Sequence, residues 1–320
     1  MAKHRDPLPR QGGPFFLTDG GLETTLIFLE GQDLPHFAAF HLLQTAEGKE
    51  ALRKYFRTYA ALAARFGVGL VLDTPTWRAN RDWGAQLGYD DDALAEANRR
   101  AVRLLEAVRD AYETPRTPIV LSGCIGPRGD GYVPDRAMSA DEAEAYHRAQ
   151  VETFAGTAAD LVSAMTMNYV EEAIGITRAA QRAGMPVVLS FTVETDGRLP
   201  TGQTLGDAIA QVDEATAGYP AYFMINCAHP SHFEQVLSGE EPWVARVRGL
   251  RANASRRSHA ELNEAPDLDD GNPVELGRDY ARLVRGPLPH LNVMGGCCGT
   301  DHRHVEQIAS ACLPLFEQPA

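Results

Sequence analysis

Two kinds of hydrophobic pattern alternate along the chain. Short runs rich in β-branched or aromatic residues occur at 15–18, 69–72, 119–121, 161–164, 187–191, 222–225, 248–250 and 292–294. Their length and composition predict buried strands. Between them lie longer stretches in which apolar residues recur every three or four positions. In 51–66 these are Leu52, Tyr55, Phe56, Tyr59, Leu62 and Ala63, which line one face of a helix. Ser139 followed by Glu142 reads as a capping box opening another helix. Asp90, Asp91 and Asp92 precede a helix over 93–112, where acidic side chains suit the helix N-terminus better than they suit a metal.

Eight strand–helix units in strict alternation predict parallel strands with crossover helices, and eight is the number that closes a barrel. An open doubly wound sheet would normally show Gly-x-Gly-x-x-Gly after the first strand, and Asp19-Gly20-Gly21-Leu22-Glu23 does not supply it. The fold class expected is α/β, a single (β/α)8 barrel over residues 1–320 with its active site at the C-terminal rim. A net charge of −13 argues against nucleic acid or an anionic membrane as partner. No apolar run approaches the ~20 residues of a membrane span. The polar N-terminus and the odd count of five cysteines point to a cytoplasmic protein without a disulfide framework. Oligomeric state stays open, a homo-oligomer included.

The candidate chemistry lies in three cysteines. Cys227 follows the sixth apolar run, and Cys297 and Cys298 sit in a glycine-rich turn after the eighth. On a barrel all three fall on the C-terminal face, where such enzymes build their sites. Three thiolates suit Zn²⁺ and leave a fourth position open. The residues alone leave a second reading equally open, that all three are buried apolar cysteines. Cys124 and Cys312 have no such company and are expected in the core.

Taken in order, four motifs resemble those of the homocysteine S-methyltransferase family: Thr18-Asp19-Gly20-Gly21-Leu22-Glu23-Thr24, Gly123-Cys124-Ile125-Gly126-Pro127-Arg128-Gly129, Ile225-Asn226-Cys227 and Gly295-Gly296-Cys297-Cys298-Gly299-Thr300. The resemblance spans nearly the whole chain and its last motif is the most specific. It implies a zinc-dependent S-methyltransferase acting on two small molecules. A sulfonium or ammonium methyl donor such as S-methylmethionine would methylate a thiol acceptor, homocysteine or a relative. It implies Cys227, Cys297 and Cys298 as the catalytic zinc ligands, and Asp19, Thr74, Met165 and Asn226 as substrate-pocket positions. No cobalamin motif is evident, which favours a small donor. Two alternatives remain: a zinc-holding barrel that binds a thiol without turnover, and a zinc hydrolase, disfavoured because hydrolases prefer His and carboxylate ligands.

One departure stands out. After the fourth strand the family carries Glu-Thr, its carboxylate holding the acceptor's ammonium, whereas this chain reads Met165-Thr166. Either Glu171, Glu172 or Glu194 takes over, or the acceptor has different polar groups and homocysteine is a poor substrate. The loop after the seventh strand, Ala252-Asn253-Ala254-Ser255-Arg256-Arg257, also departs from the family's usual Pro-Asn-Ser-Gly, and its two arginines are either a carboxylate clamp or solvated charges. Trp77 is a candidate for cation–π contact with a cationic donor, or an ordinary pocket aromatic. His229 either orients the site or is a strand-end residue without a role, and His304 is read as a helix-packing residue, with zinc ligation by His302 or His304 the minor alternative.

Overall fold

The computed structural model describes residues 2–5, 8, 14–237 and 241–316. All eight predicted strands are present: β1 Phe16–Leu17, β2 Gly69–Asp73, β3 Ile119–Ile125, β4 Leu161–Met167, β5 Val187–Phe191, β6 Tyr222–Asn226, β7 Val247–Ala252 and β8 Val293–Gly296. They pair in sequence order and close into a parallel barrel, a (β/α)8 architecture. The closing strand is short. Phe16 and Leu17 of β1 are flanked by Gly69 and Leu70 on one side and Val293 and Met294 on the other.

Successive residues of a strand face opposite sides of the sheet, and the barrel interior is stacked accordingly. Its floor is apolar, built by Phe16, Val71, Val120, Leu161, Val188, Tyr222, Met224 and Val293. Gly69 and Gly249 leave room in that floor for the Phe16 ring and the Met224 side chain. Two residues further along each strand the interior turns polar. Ser122 donates to Ser163 at 2.9 Å and Ser163 to Asp73 at 2.5 Å. Arg251 reaches Asp73 at 2.6 Å and Asp19 at 2.5 Å. The outer faces of the strands carry the larger core, packed beneath the helices.

The helix expected over 51–66 begins five residues earlier and that over 93–112 two residues earlier, each behind a side-chain cap. Ala46–Phe66 is capped by the Thr45 side chain, Asp91–Tyr112 by Asp90, and Ala140–Ala155 by Ser139 in a full capping box with Glu142. At the N-terminal end of the barrel, Asp160 is wholly buried. It accepts from Arg109 at 3.2 Å, from the Leu121 amide at 2.9 Å, and from the Lys3 and His4 amides at 2.8 Å each. This knot ties the helix Asp91–Tyr112, β3, β4 and the N-terminal strap together. No helix among the described residues is long and apolar enough to cross a membrane.

Candidate metal centre and substrate pocket

Cys227, Cys297 and Cys298 converge at the C-terminal mouth of the barrel, their sulfurs all within 4.8 Å of one another. The sulfurs of Cys227 and Cys297 touch, as in a disulfide, with the Cα atoms 5.4 Å apart. Cys298 Sγ stands 4.0 Å from Cys227 Sγ. Tetrahedral zinc with Zn–S bonds of ~2.3 Å spaces its sulfurs by about 3.8 Å, so the Cys227–Cys298 separation already fits. The donor set is sulfur only, which in its thiolate form suits zinc. Burial pushes the Cys298 thiol up to about 11, the Glu23 charge adding to it. A bound cation would supply what that buried thiol lacks to ionise.

Local backbone aims these sulfurs. Cys227 leaves β6 with φ at +54°, a left-handed turn that few residues other than glycine adopt. Its amide donates to Arg251 O at 3.1 Å, and its carbonyl accepts from Asn253 Nδ2 at 3.0 Å. The Cys297 amide donates to Ala252 O at 2.8 Å, and the Cys297 carbonyl accepts from the Thr300 hydroxyl at 2.7 Å. Gly299, at φ +79°, then turns the chain so that its amide meets Thr24 Oγ1 at 3.1 Å. The segment after β1 therefore packs directly on the cysteine turn.

Asn226 organises the floor of the site. Its Oδ1 accepts from the Thr166 amide at 2.9 Å and the Ser190 hydroxyl at 2.7 Å. Its Nδ2 donates to Thr166 Oγ1 at 2.8 Å and lies 3.2 Å from Cys227 Sγ. Thr166 is held at φ +63°, a strained value for a β-branched residue. The β4–β5 register shifts at the same point. Above the cluster, Tyr132 brings its hydroxyl 3.9 Å from Cys298 Sγ and stacks on His259, ring centroids 4.0 Å apart. His259 also contacts the Cys227 carbonyl.

Over this geometry the comparisons with known proteins agree. The family model described as homocysteine S-methyltransferase matches residues 16–312. The chain belongs to the homocysteine S-methyltransferase family. It is 28% identical over 268 residues to the homocysteine S-methyltransferase of Escherichia coli K12, covering 79% of this chain and 82% of that protein. It is 25% identical over 282 residues to the methionine synthase of Mycobacterium leprae, 81% of this chain but 20% of that much longer protein. In fold it resembles the oxidized form of the homocysteine methyltransferase MmuM from Escherichia coli, with TM-score 0.75, 21% identity and coverage of 96% and 98%. The metallated form of MmuM superposes with TM-score 0.72 at 21% identity, over 92% and 96% of the two chains. As a homocysteine S-methyltransferase family member, the chain is a methyltransferase whose chemistry is methyl transfer to a thiol.

The other expected pocket positions are found in differing states. Burial pushes Asp19 up to about 6, against the pull of Arg251, and its second oxygen accepts from Tyr55 at 3.1 Å. Burial also opposes charge on Arg251, but Asp19 and Asp73 outweigh it and hold the guanidinium above its usual range. The Thr74 hydroxyl is 2.6 Å from that of Thr76 and accepts from the Cys124 amide at 2.9 Å. Met165 is buried, and its carbonyl accepts from Trp77 Nε1 at 3.3 Å. Arg78 covers the Trp77 ring at 4.0 Å.

Of the acids weighed for the Met165 gap, Glu172 binds His147 at 2.8 Å and the Arg128 amide at 2.7 Å. Glu194 lies 3.3 Å from His259, and Glu171 is exposed on the helix Val170–Arg182. Arg256 and Arg257 are exposed and face acids, Arg256 near Glu275 and Asp279 at 3.8 Å each and Arg257 near Asp269 at 3.5 Å. They line a surface cleft of about 390 Å³. Cys124 and Cys312 are core cysteines, as expected. His304 is a packing residue held by Asp301 and the Asp270 carbonyl.

Sequence reasoning passed over Tyr132, Arg251, His259 and Glu23. Arg251 carried a usable signal, a charged residue at an inward position of β7. Burial pushes Glu23 up to about 7, the charge of Asp19 contributing.

Proposed function

We propose that this chain is a zinc-dependent methyltransferase that moves a methyl group from a cationic sulfonium donor, such as S-methylmethionine, to homocysteine or a related thiol. The observation that carries this reading is the convergence of three sulfurs at the mouth of the barrel, within 4.8 Å of one another. Cys227, Cys297 and Cys298 would hold the zinc. What zinc supplies there is acidity, since a thiol bound to it is deprotonated at neutral pH.

The chain's own residues do the rest. Asn226, through its contacts with Cys227 Sγ and Thr166, fixes the direction of the first sulfur. Tyr132, stacked on His259, packs over the Cys298 side of the cluster. In the transfer the acceptor sulfur forms a bond to the methyl carbon as the donor's sulfur–methyl bond breaks. The thiolate's negative charge and the donor's positive charge cancel. Charge is lost toward the transition state, so a water-poor pocket favours it, and no general base is required.

Purified protein should carry about one zinc per chain and convert homocysteine to methionine with S-methylmethionine, followed by mass spectrometry. Replacing Cys227, Cys297 or Cys298 by Ala should lower zinc occupancy and abolish turnover, while Cys124→Ala retains the metal. Full zinc content in Cys298→Ala would overturn the three-thiolate assignment. Thiol binding without methylated product would favour the binding-only reading.

A further inference from the structure

The arginines near the barrel mouth differ in what balances them. Arg251 is committed to Asp19, Asp73 and the carbonyls of Gly20 and Gly296. Arg128 is paired with Asp82 at 2.9 Å. Arg78 is only 7% exposed, yet among the described residues it forms no ion pair. Its guanidinium lies between two indoles, 4.0 Å from the ring centres of Trp77 and Trp83. Nη1 donates to Gly129 O at 2.9 Å, a carbonyl that also accepts from Trp83 Nε1 at 3.3 Å. Nε is shut off from solvent without a hydrogen-bond partner, and Nη2 makes no hydrogen bond among the described residues. These two nitrogens share one edge of the guanidinium plane, the edge that takes a carboxylate side-on through two parallel bonds. The flanking rings fix that plane.

Contacts set Arg78 in the wall of the substrate pocket. Trp77 Nε1 donates to Met165 O at 3.3 Å. A side chain on Gly131 would come within 3.2 Å of both the Trp77 ring and the Thr166 methyl. The next residue, Tyr132, brings its hydroxyl 3.9 Å from Cys298 Sγ. Three residues of one loop thus lead from the carbonyl that holds Arg78 to the side chain over the cysteines. Burial pushes Arg78 down to about 10 against the pull of Asp130, which leaves it charged at neutral pH. A buried charge without a counter-ion is costly unless a ligand supplies one.

We propose that Arg78 anchors substrate, its free Nε–Nη2 edge binding the carboxylate of one of the two small molecules. The inference rests on the thiol-transfer reading and gives its pocket a second anchor besides the metal. Homocysteine and S-methylmethionine both carry this group. A carboxylate keeps its charge throughout the transfer, so the pair is equally strong before and at the transition state. It therefore contributes to affinity rather than to kcat.

The test uses zinc-loaded wild type, Arg78→Met and Arg78→Lys, with calorimetric binding of two ligand pairs measured before any turnover. Homocysteine is compared with 3-aminopropane-1-thiol, which lacks only the carboxylate, and S-methylmethionine with (3-aminopropyl)dimethylsulfonium. Wild type should bind the carboxylate-bearing member of at least one pair about ten- to a hundredfold more tightly, the range of a charge-assisted hydrogen bond. Arg78→Met keeps an aliphatic stem between the indoles and should erase that preference. Arg78→Lys keeps the charge but not the fork and should recover only part of it. Zinc content and affinity for the decarboxylated ligands should stay at wild-type values in both. A response in the thiol pair makes the acceptor the ligand, and one in the sulfonium pair the donor. No preference in either pair of the wild type would overturn the proposal, as would a preference that survives in Arg78→Met. An equal loss for both members of a pair, or loss of zinc, would reduce Arg78 to packing and overturn it too. If Arg78→Met does not fold, Arg78→Lys decides alone, and a full wild-type preference there would overturn the proposal. Absence of methyl transfer by wild type would instead sink the broader reading, and the binding measurements still decide the role of Arg78.

Discussion

At the scale of single residues, the site depends on Asn226 more than its neutral amide suggests. It is nearly inaccessible to solvent and satisfies the Thr166 amide, the Thr166 and Ser190 hydroxyls and one sulfur together. Thr166 pays for its left-handed conformation with those bonds. Asn226→Ala should destabilise the fold by about 1–3 kcal/mol, the cost of leaving a buried polar group unsatisfied, read from denaturant unfolding. Asn226→Asp keeps an acceptor for the Thr166 amide but sets a carboxylate against the thiolates. It should release zinc faster to a chelator than wild type, with a smaller loss of stability than Asn226→Ala. Equal zinc release by wild type and Asn226→Asp would show that the amide does not orient the sulfur.

At the scale of elements, the two ends of the barrel do separate work. The Arg109–Asp160 pair lies at the N-terminal end, joining the helix Asp91–Tyr112 to β3 and β4, far along the strands from the cysteines. Removing one partner of such a buried pair strands the other's charge. Arg109→Ala should therefore cost about 3–5 kcal/mol in unfolding free energy, while turnover per folded molecule stays unchanged. The elements themselves were legible in sequence because hydrophobic periodicity and capping residues are local signals. Every predicted strand was found, with β3, β4 and β7 running three or four residues longer than their apolar cores. Those extra residues, such as Ser122, Arg251 and Thr166, are the polar ones that build the site, and a hydrophobic pattern does not count them. The cysteines were legible through their residue type and position after strands. The segment around Gly21 and Thr24 was not legible as their neighbour, because no local pattern records that contact. Barrel closure sets β1 against β8, so the segment after β1 meets the cysteine turn 275 residues later, as the contact from Gly299 to Thr24 shows.

For the whole molecule, acid stability depends partly on the N-terminal strap. Glu113 binds Lys3 Nζ at 2.8 Å, His4 Nε2 at 2.6 Å and the Ile119 amide at 3.0 Å. Burial opposes its charge, but the His4 and Lys3 hydrogen bonds outweigh burial and hold it at about 2, below the ordinary 4.5. A carboxylate depressed in the folded state contributes stability that is present above the unfolded pKa. That contribution is lost as pH falls from about 4.5 through about 2. The stability difference between wild type and Glu113→Gln should thus be constant near neutrality and shrink across that window, followed by unfolding at a series of pH values. A difference independent of pH would remove Glu113 from the acid response. The placement of the three cysteines has a consequence of another kind. Cys227 follows β6 and the pair follows β8, 70 residues on from Cys227 to Cys297. An ion gripped by all three makes that stretch of chain a ring rather than a line. A single backbone cut between them would leave two pieces joined through that ion as well as through the strand pairing on either side of the cut.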